Sequence, residues 1–352
     1  MNTKMIRYIL CRMLGVEAVL LLIPALVSAL YREISGVAFL IPSAILFLLF
    51  FLAGMKKPEQ SHIYGKEGMV IVALAWILWS LFGAMPFTIA GYIPNYLDAF
   101  FETVSGFTTT GSSILRDVEA LPQGLLFWRS LTHWIGGMGV LVFILSLLPL
   151  TGGYHMNLMK AESPGPSVSK LVPKVQQTAK ILYTIYIGMT LIQIILLLIG
   201  RIPLFDTLCI SFGTAGTGGF GIVNDSMGSY SVYCQIITTI FMILFGVIFS
   251  AFYLFLTKIF MQAFKFEEVR YYFGIILAAI VIIAFNTSHL FRNLGEAFQQ
   301  AAFQVGSIIT TTGFSSTDFN QWPALSKTIL VLLMFVGACA GSTGGGLKVS
   351  RI

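Results

Sequence analysis

Eight apolar stretches, each near the length needed to cross a bilayer, leave few folds open to this chain: residues 8–30, 36–54, 69–90, 125–150, 181–200, 232–257, 271–286 and 326–340, the last running on through a glycine-rich break. A helix needs about 20 apolar residues to span the hydrocarbon core, because lipid offers nothing to backbone N–H and C=O groups and the segment must satisfy them internally. Hydrophobic residues fill 57% of the 352 positions, against roughly 45–50% in soluble domains. The expected fold class is an all-α integral membrane protein. Lys4, Arg7 and Arg12 precede an apolar run near the N-terminus, as they would in a secretion signal. No small-residue cleavage site follows, and Arg32 and Glu33 lead straight into the next apolar run, so the stretch reads as a retained helix. Cys11, Cys209, Cys234 and Cys339 lie in apolar segments without paired spacing, which suggests packing residues and neither a disulfide framework nor a zinc site.

Charge sets the orientation. With a cytoplasmic N-terminus, all but Arg32, Arg116, Arg129, Arg201, Arg292 and Lys327 of the 21 Lys and Arg residues fall on the cytoplasmic side, as the positive-inside rule requires. The net charge of +6 therefore reflects topology. Nucleic-acid binding is a poor explanation, because the basic residues are spread over several short loops and form no patch with interleaved aromatics. Asp98, Glu102, Asp117, Glu119, Asp206, Asp225, Glu296 and Asp318 gather in three outer segments, where they would attract cations or simply serve as solvated charges and helix caps.

Those three segments also share a pattern. They read DAFFETVSGFTTTGSS from Asp98, DTLCISFGTAGTGGFG from Asp206 and QAAFQVGSIITTTGFS from Gln300. Each carries a threonine and a glycine two residues apart at matched offsets: Thr109 and Gly111, Thr217 and Gly219, Thr311 and Gly313. An amphipathic stretch too short to span precedes each one, so the unit reads as helix, re-entrant pore helix, T-x-G loop, helix. Non-helical backbone at membrane depth survives only where protein buries it or it lines an aqueous cavity. A ring of such loops can present backbone carbonyls that replace a cation's hydration shell, with glycine permitting the backbone angles that turn them inward. A single T-x-G would be read as small residues easing helix packing; three in register on one side argue for a shared axis.

Two glycine-rich runs mimic nucleotide motifs. GTGGFG at 216–221 fits G-x-G-x-x-G but lacks a surrounding βαβ unit, and GSTGGGLK at 341–348 separates its glycine from Lys348 by Leu347 and follows no soluble strand. Thr343 and Gly345 also fail as a fourth T-x-G loop, since no new outer helix and pore helix intervene after Gly313. The run GACAGSTGGG at 337–346 instead breaks the eighth stretch, and an unwound, flexible segment there would serve as a gate, the alternative being a tolerated kink or close-packing segment.

The chain closely resembles the membrane subunit of the bacterial Trk/Ktr potassium-transporter family. The resemblance runs from the N-terminus through Ile352 and is carried by DAFFETVSGFTTTG at 98–111, FWRSLTHWIGGMG at 127–139, KAESPGP at 160–166, GGFG at 218–221, TTTGFSSTD at 310–318 and GACAGSTGGGLKVSRI at 337–352. It implies an N-terminal helix pair (1–66) and helix, pore-helix, helix repeats at 67–152, 153–266 with a leading cytoplasmic linker, and 267–352. It further implies a potassium filter at Thr109, Thr110, Gly111, Thr217, Gly218, Gly219, Thr311, Thr312 and Gly313. An intramembrane gating loop is implied at Gly337, Ala338, Gly341, Ser342, Thr343, Gly344, Gly345 and Gly346. Relatives that admit sodium have serine at the first filter glycine, so Gly111 favours potassium. The family has four repeats and this sequence carries three, so either it is a truncated product, not expected to transport alone, or a separate chain completes the pore. The resemblance also implies a multi-pass protein of the bacterial plasma membrane, a homodimer, and a cytosolic nucleotide-binding ring of the TrkA/KtrA kind as regulator. The basic loops 56–66 and 153–180 would meet that ring or anionic lipid head groups. Potassium is the expected substrate and no cofactor is expected.

Two other classes of function fit the sequence less well. A membrane enzyme would lean on His133 or His155, but neither has an intramembrane carboxylate or cysteine at catalytic or metal-ligand spacing, and a lone helical histidine reads as a packing or hydrogen-bonding residue. An alternating-access cation symporter built on inverted repeats would place related segments on opposite sides, whereas the three T-x-G loops share one.

Overall fold

The computed structural model describes residues 2–56, 58–59, 64–139, 175–256 and 266–352. KAESPGP at 160–166, His155 and most of the linker before the second repeat lie outside the described residues. All regular structure within them is helical, as the hydropathy pattern requires. They form two compact units: Met1–Thr108 with Ser112–Tyr183, and Thr109–Gly111 with Thr184–Ile352.

The first unit is built on α1 (Thr3–Leu30), α2 (Val37–Leu49), α3 (Gly65–Ile89), α4 (Tyr96–Phe107) and α5 (Gln123–Gly137). Asn2 starts α1 by accepting from Met5 N. The carboxylate of Glu33 caps the N-terminus of α5, accepting from Gln123 N (2.7 Å) and Gly124 N (3.2 Å), where the orphan amides and helix dipole both favour a negative group. Trp79, Phe107 and Trp128 meet edge to face in the core, with ring centroids 5.5 and 5.9 Å apart. Leu26, Leu48 and Leu52 face outward from α1, α2 and the π-helical turn Phe50–Gly54 that ends α2. Exposed leucine costs nothing against acyl chains.

The second unit contains α6 (Val175–Ile199, which begins in the first unit), α7 (Leu204–Ala215), α8 (Val232–Phe245), α9 (Phe249–Leu256), α10 (Glu267–Thr287), α11 (Leu294–Ile309) and α12 (Ala324–Val336). Its core joins residues such as Tyr272, Ile276 and Ile283 of α10 to Ala301, Val305 and Ile309 of α11 and Leu330 and Leu333 of α12.

Among the described residues five helices are long and apolar enough to cross a membrane, and a sixth span follows if a bent pair is counted as one. The chain is a multi-pass membrane protein. Three of the eight apolar stretches are not single continuous helices over their described residues, the eighth as its glycine-rich break implies. The stretch 125–150 is helical through Gly137, and from 140 it lies outside the described residues. The stretch 326–340 stops at Val336, because Gly337 takes a φ of 72° and ends the helix. The stretch 232–257 is broken between α8 and α9 by a 97° bend. Hydropathy averages over such a break; it is made affordable by polar partners supplied from elsewhere in the chain.

Candidate functional site

The three T-x-G sequences each follow a short helix: α4, α7 and α11, of 12, 12 and 16 residues. At about 1.5 Å per residue these helices fall short of the roughly 30 Å hydrocarbon core. Asn95 caps α4 by accepting from Leu97 N (3.1 Å), and Asn293 caps α11 by accepting from Glu296 N (2.8 Å).

The C-terminal ends are alike. Thr217 N donates to Thr214 O (3.0 Å) and Gly218 N to Gly213 O (3.0 Å); Thr311 N donates to Ile308 O (3.0 Å) and Thr312 N to Ser307 O (2.8 Å). This is the Schellman pairing, whose left-handed residue is usually glycine. Here threonine occupies it, with φ of 51° at Thr217 and 58° at Thr311, and Thr109 has φ 53°. A β-branched residue in that region is a genuine outlier that costs about 1–3 kcal/mol. Three outliers of one kind at one offset mark three copies of one local structure. In each, one residue outside the left-handed region follows, and then a glycine with positive φ: Gly111 (74°), Gly219 (76°) and Gly313 (87°). Alternation of this kind turns successive peptide carbonyls toward the same side.

The loops meet backbone to backbone. A Cβ on Gly111 would be driven into the Gly218 carbonyl oxygen and would stand 3.9 Å from Thr312 O. One on Gly219 would be driven into Thr312 O and would stand 3.1 Å from the carbonyl carbon of Gly313. At Gly313 a Cβ would meet nothing within 4 Å, so glycine there answers to φ alone. Thr109–Gly111, Thr217–Gly219 and Thr311–Gly313, far apart in sequence, are thus brought together in one unit. No group of three His, Cys, Asp or Glu able to hold a metal occurs among the described residues; what this cluster offers a cation is carbonyl and hydroxyl oxygen.

The threonine hydroxyls have a second task. Thr217 Oγ1 lies 2.7 Å from Gly216 O and 2.9 Å from Thr343 O, and Thr311 Oγ1 donates to Thr310 O (2.6 Å) while accepting from Gly345 N (2.7 Å). Both threonines therefore hold the glycine-rich run 337–346. Glycine could take the same φ but would supply no hydroxyl.

That run is unwound, as expected, yet it is not loose. The α8–α9 break frees the carbonyls of Phe245 and Gly246 and the amide of Phe249. Cys339 N donates to Gly246 O (3.0 Å), Thr343 Oγ1 to Phe245 O (3.1 Å), and Phe249 N to Gly341 O (3.1 Å). Ala340 N donates to Glu268 Oε1 (2.6 Å), and Lys348 Nζ donates to Gly344 O. Within the run Ala338 N reaches Gly345 O (3.2 Å) and Ser342 Oγ reaches Cys339 O (2.6 Å). Cβ atoms on Gly337 and Gly346 would each collide with the other's backbone, and one on Gly344 would strike Ala338. The glycines therefore permit dense packing as much as flexibility.

In the first unit the structure corrects the sequence reading. Glu102 is neither a solvated charge nor a cap: Arg129 Nε donates to its Oε1 at 2.8 Å, with side-chain exposure of 2% for the arginine and 0% for the glutamate. His133, one turn further along α5, donates from Nδ1 to the Gly106 carbonyl oxygen (2.8 Å), which makes it a hydrogen-bonding residue. Gly136 continues the seam, since a Cβ there would strike Phe107 O. The only sequence signal for this seam was spacing, Glu102 and Gly106 on one helix and Arg129 and His133 on the next, each four apart. The remaining acidic residues play other parts. Tyr230 donates to Asp206 Oδ2 (3.0 Å), and Asp318 is held below the usual carboxylate range by the N–H and side-chain amide of Asn320.

Comparison with known proteins bears on what this arrangement is. The TrkH family, described as cation transport proteins, matches residues 35–352. The Trk system potassium uptake protein TrkH of Vibrio parahaemolyticus is 35% identical over 360 residues, covering 97% of this chain and 72% of that protein. TrkH of Escherichia coli K12 is 34% identical over 343 residues, covering 94% of this chain and 70% of the relative. The crystal structure of the potassium transporter TrkH from V. parahaemolyticus superposes with a TM-score of 0.86 at 32% identity, covering 100% of this chain and 74% of that one. These relatives are transporters and not enzymes. With a match of this extent in both sequence and fold, the chain belongs to the TrkH family of cation transport proteins.

Proposed function

We propose that the chain takes part in potassium uptake, with Thr109–Gly111, Thr217–Gly219 and Thr311–Gly313 supplying backbone carbonyls to a selectivity filter. The observation that carries this reading is the threefold recurrence of a left-handed threonine followed two residues later by a positive-φ glycine, in loops that touch through their backbones. Carbonyls so arranged can replace the hydration shell of a cation that must shed water to pass. The relatives' name, potassium uptake protein, and an intact Gly111 favour potassium over sodium.

The run 337–346 is the gate in this reading. It is unwound and bonded both to two filter threonines and to the α8–α9 break, so a change in one is felt by the others. A carrier with inverted repeats is disfavoured by the gathering of all three loops in one place. The basic residues Lys4, Arg7, Arg12, Lys56 and Lys66 support an N-terminus on the cytoplasmic face of a bacterial plasma membrane. A homodimer and a cytosolic nucleotide-binding ring of the TrkA/KtrA kind complete the proposal.

The test is growth of a host without potassium uptake of its own, at limiting potassium, supported by the full chain that carries residues 1–352. Gly313→Asp, expressed and inserted to the same level, is expected to abolish growth. Rescue that survives this substitution overturns the filter assignment.

A further inference from the structure

The first filter loop is backed differently from the other two. Glu102 lies four residues after Asp98 on α4, and the same offset in the other loops falls on Ile210 after Asp206 and Gln304 after Gln300. Both Glu102 carboxylate oxygens are occupied. Oε1 accepts from Arg129 Nε (2.8 Å) and Ser113 Oγ (3.0 Å), and Oε2 accepts from Ile114 N (2.9 Å). Arg129 Nη2 also reaches Ser113 Oγ, at 3.3 Å. Ser113 and Ile114 stand two and three residues past Gly111, in a stretch without helix or strand whose path depends on such bonds.

In the third loop, Gln304 Nε2 takes the same role with a neutral amide, reaching Ser315 Oγ (3.5 Å) and Thr317 O (3.3 Å). Ser315 is two residues past Gly313, as Ser113 is past Gly111. In the second loop, apolar Ile210 cannot form such a link. One equivalent position on the helix that precedes each loop is thus ionic, apolar and amide in the three repeats.

Building on the filter reading above, we propose that the buried Glu102–Arg129 pair is a positioning element for cation discrimination, holding the exit of the first T-x-G loop so that its carbonyls keep the spacing suited to the larger ion. The pair touches no ion and acts through Ser113 and Ile114. Charge-assisted hydrogen bonds are shorter and stiffer than neutral ones, and removing one member of a buried pair leaves the other charge without compensation. A loop freed at Ser113 can close around a smaller, more strongly hydrated ion, so sodium gains relative to potassium.

The experiment measures uptake of radioactive rubidium, as a potassium tracer, and of sodium in proteoliposomes containing the full chain, normalised to inserted protein. Glu102→Gln, the double variant Glu102→Gln with Arg129→Gln, and Gly219→Ala are compared with the parent. The double variant removes both charges, so it stays foldable even where the single one inserts poorly. A fall of about tenfold in the rubidium-to-sodium ratio is expected for both Glu102 variants, equivalent to about 1.4 kcal/mol of lost discrimination. If the inserted double variant keeps the parental ratio while Gly219→Ala lowers it, the pair is merely structural and the proposal falls. If Gly219→Ala also keeps the ratio, the filter reading itself fails.

Discussion

Thr311→Val removes one oxygen and little else, which makes it the sharpest probe of how the proposed filter and the glycine-rich run are joined. Valine keeps the β-branch and the volume, so the strain of a left-handed residue at φ 58° is retained. What goes is the hydroxyl that accepts from Gly345 N at 2.7 Å and donates to Thr310 O at 2.6 Å. The Gly345 amide is then left without that acceptor in a part-buried site, at a cost of about 1–3 kcal/mol. The cost applies only while the run is docked, so it shifts the equilibrium toward an undocked run by about 5- to 150-fold. If the docked run is the closed gate, rubidium flux per inserted protein rises at low load, with the rubidium-to-sodium ratio unchanged because the loop's carbonyls remain. Single-channel or flux recordings at matched expression provide the assay. Unchanged flux with an altered ratio would refute this reasoning, since Thr311 would then serve the ion and not the gate.

Two further predictions come from the glycines. In residues 1–352 purified in detergent, Gly313→Ala is expected to cost only the positive-φ penalty, about 1–2 kcal/mol. Gly219→Ala adds a collision with Thr312 O, which overpacking data put at about 1–3 kcal/mol more, and thermal melting should rank the two in that order. Gly246→Ala is expected to displace the Tyr272 hydroxyl, which a Cβ would strike, and to favour continuous helix through the α8–α9 break by about 1 kcal/mol. Both effects loosen the bond from Cys339 N to Gly246 O, so the buried Cys339 thiol should react faster with a maleimide; an unchanged rate would count against the docking role of the break.

Much of the site was legible because it is repeated. Three T-x-G elements at matched offsets identified the loops, and the short amphipathic stretches before them became α4, α7 and α11. The partners of those loops were not legible. Nothing in the sequence near Thr217 or Thr311 announces Thr343 or Gly345, which lie 126 and 34 residues away along the chain. Glu102 resembled any acidic residue of an outer segment until Arg129 was placed against it, because burial is a property of what surrounds a side chain.

Hydropathy and repetition, both local along the chain, determined by themselves that this is a helical membrane protein with three equivalent loops, each behind a short helix. The bend between α8 and α9, the docking of the glycine-rich run into it, and the ionic seam between α4 and α5 were decided only by the tertiary structure. The physical reason is that each rests on a polar group buried in an apolar setting. Such a group is tolerable only when a distant segment supplies its hydrogen-bond partner, and the identity of that segment emerges only when the chain has folded.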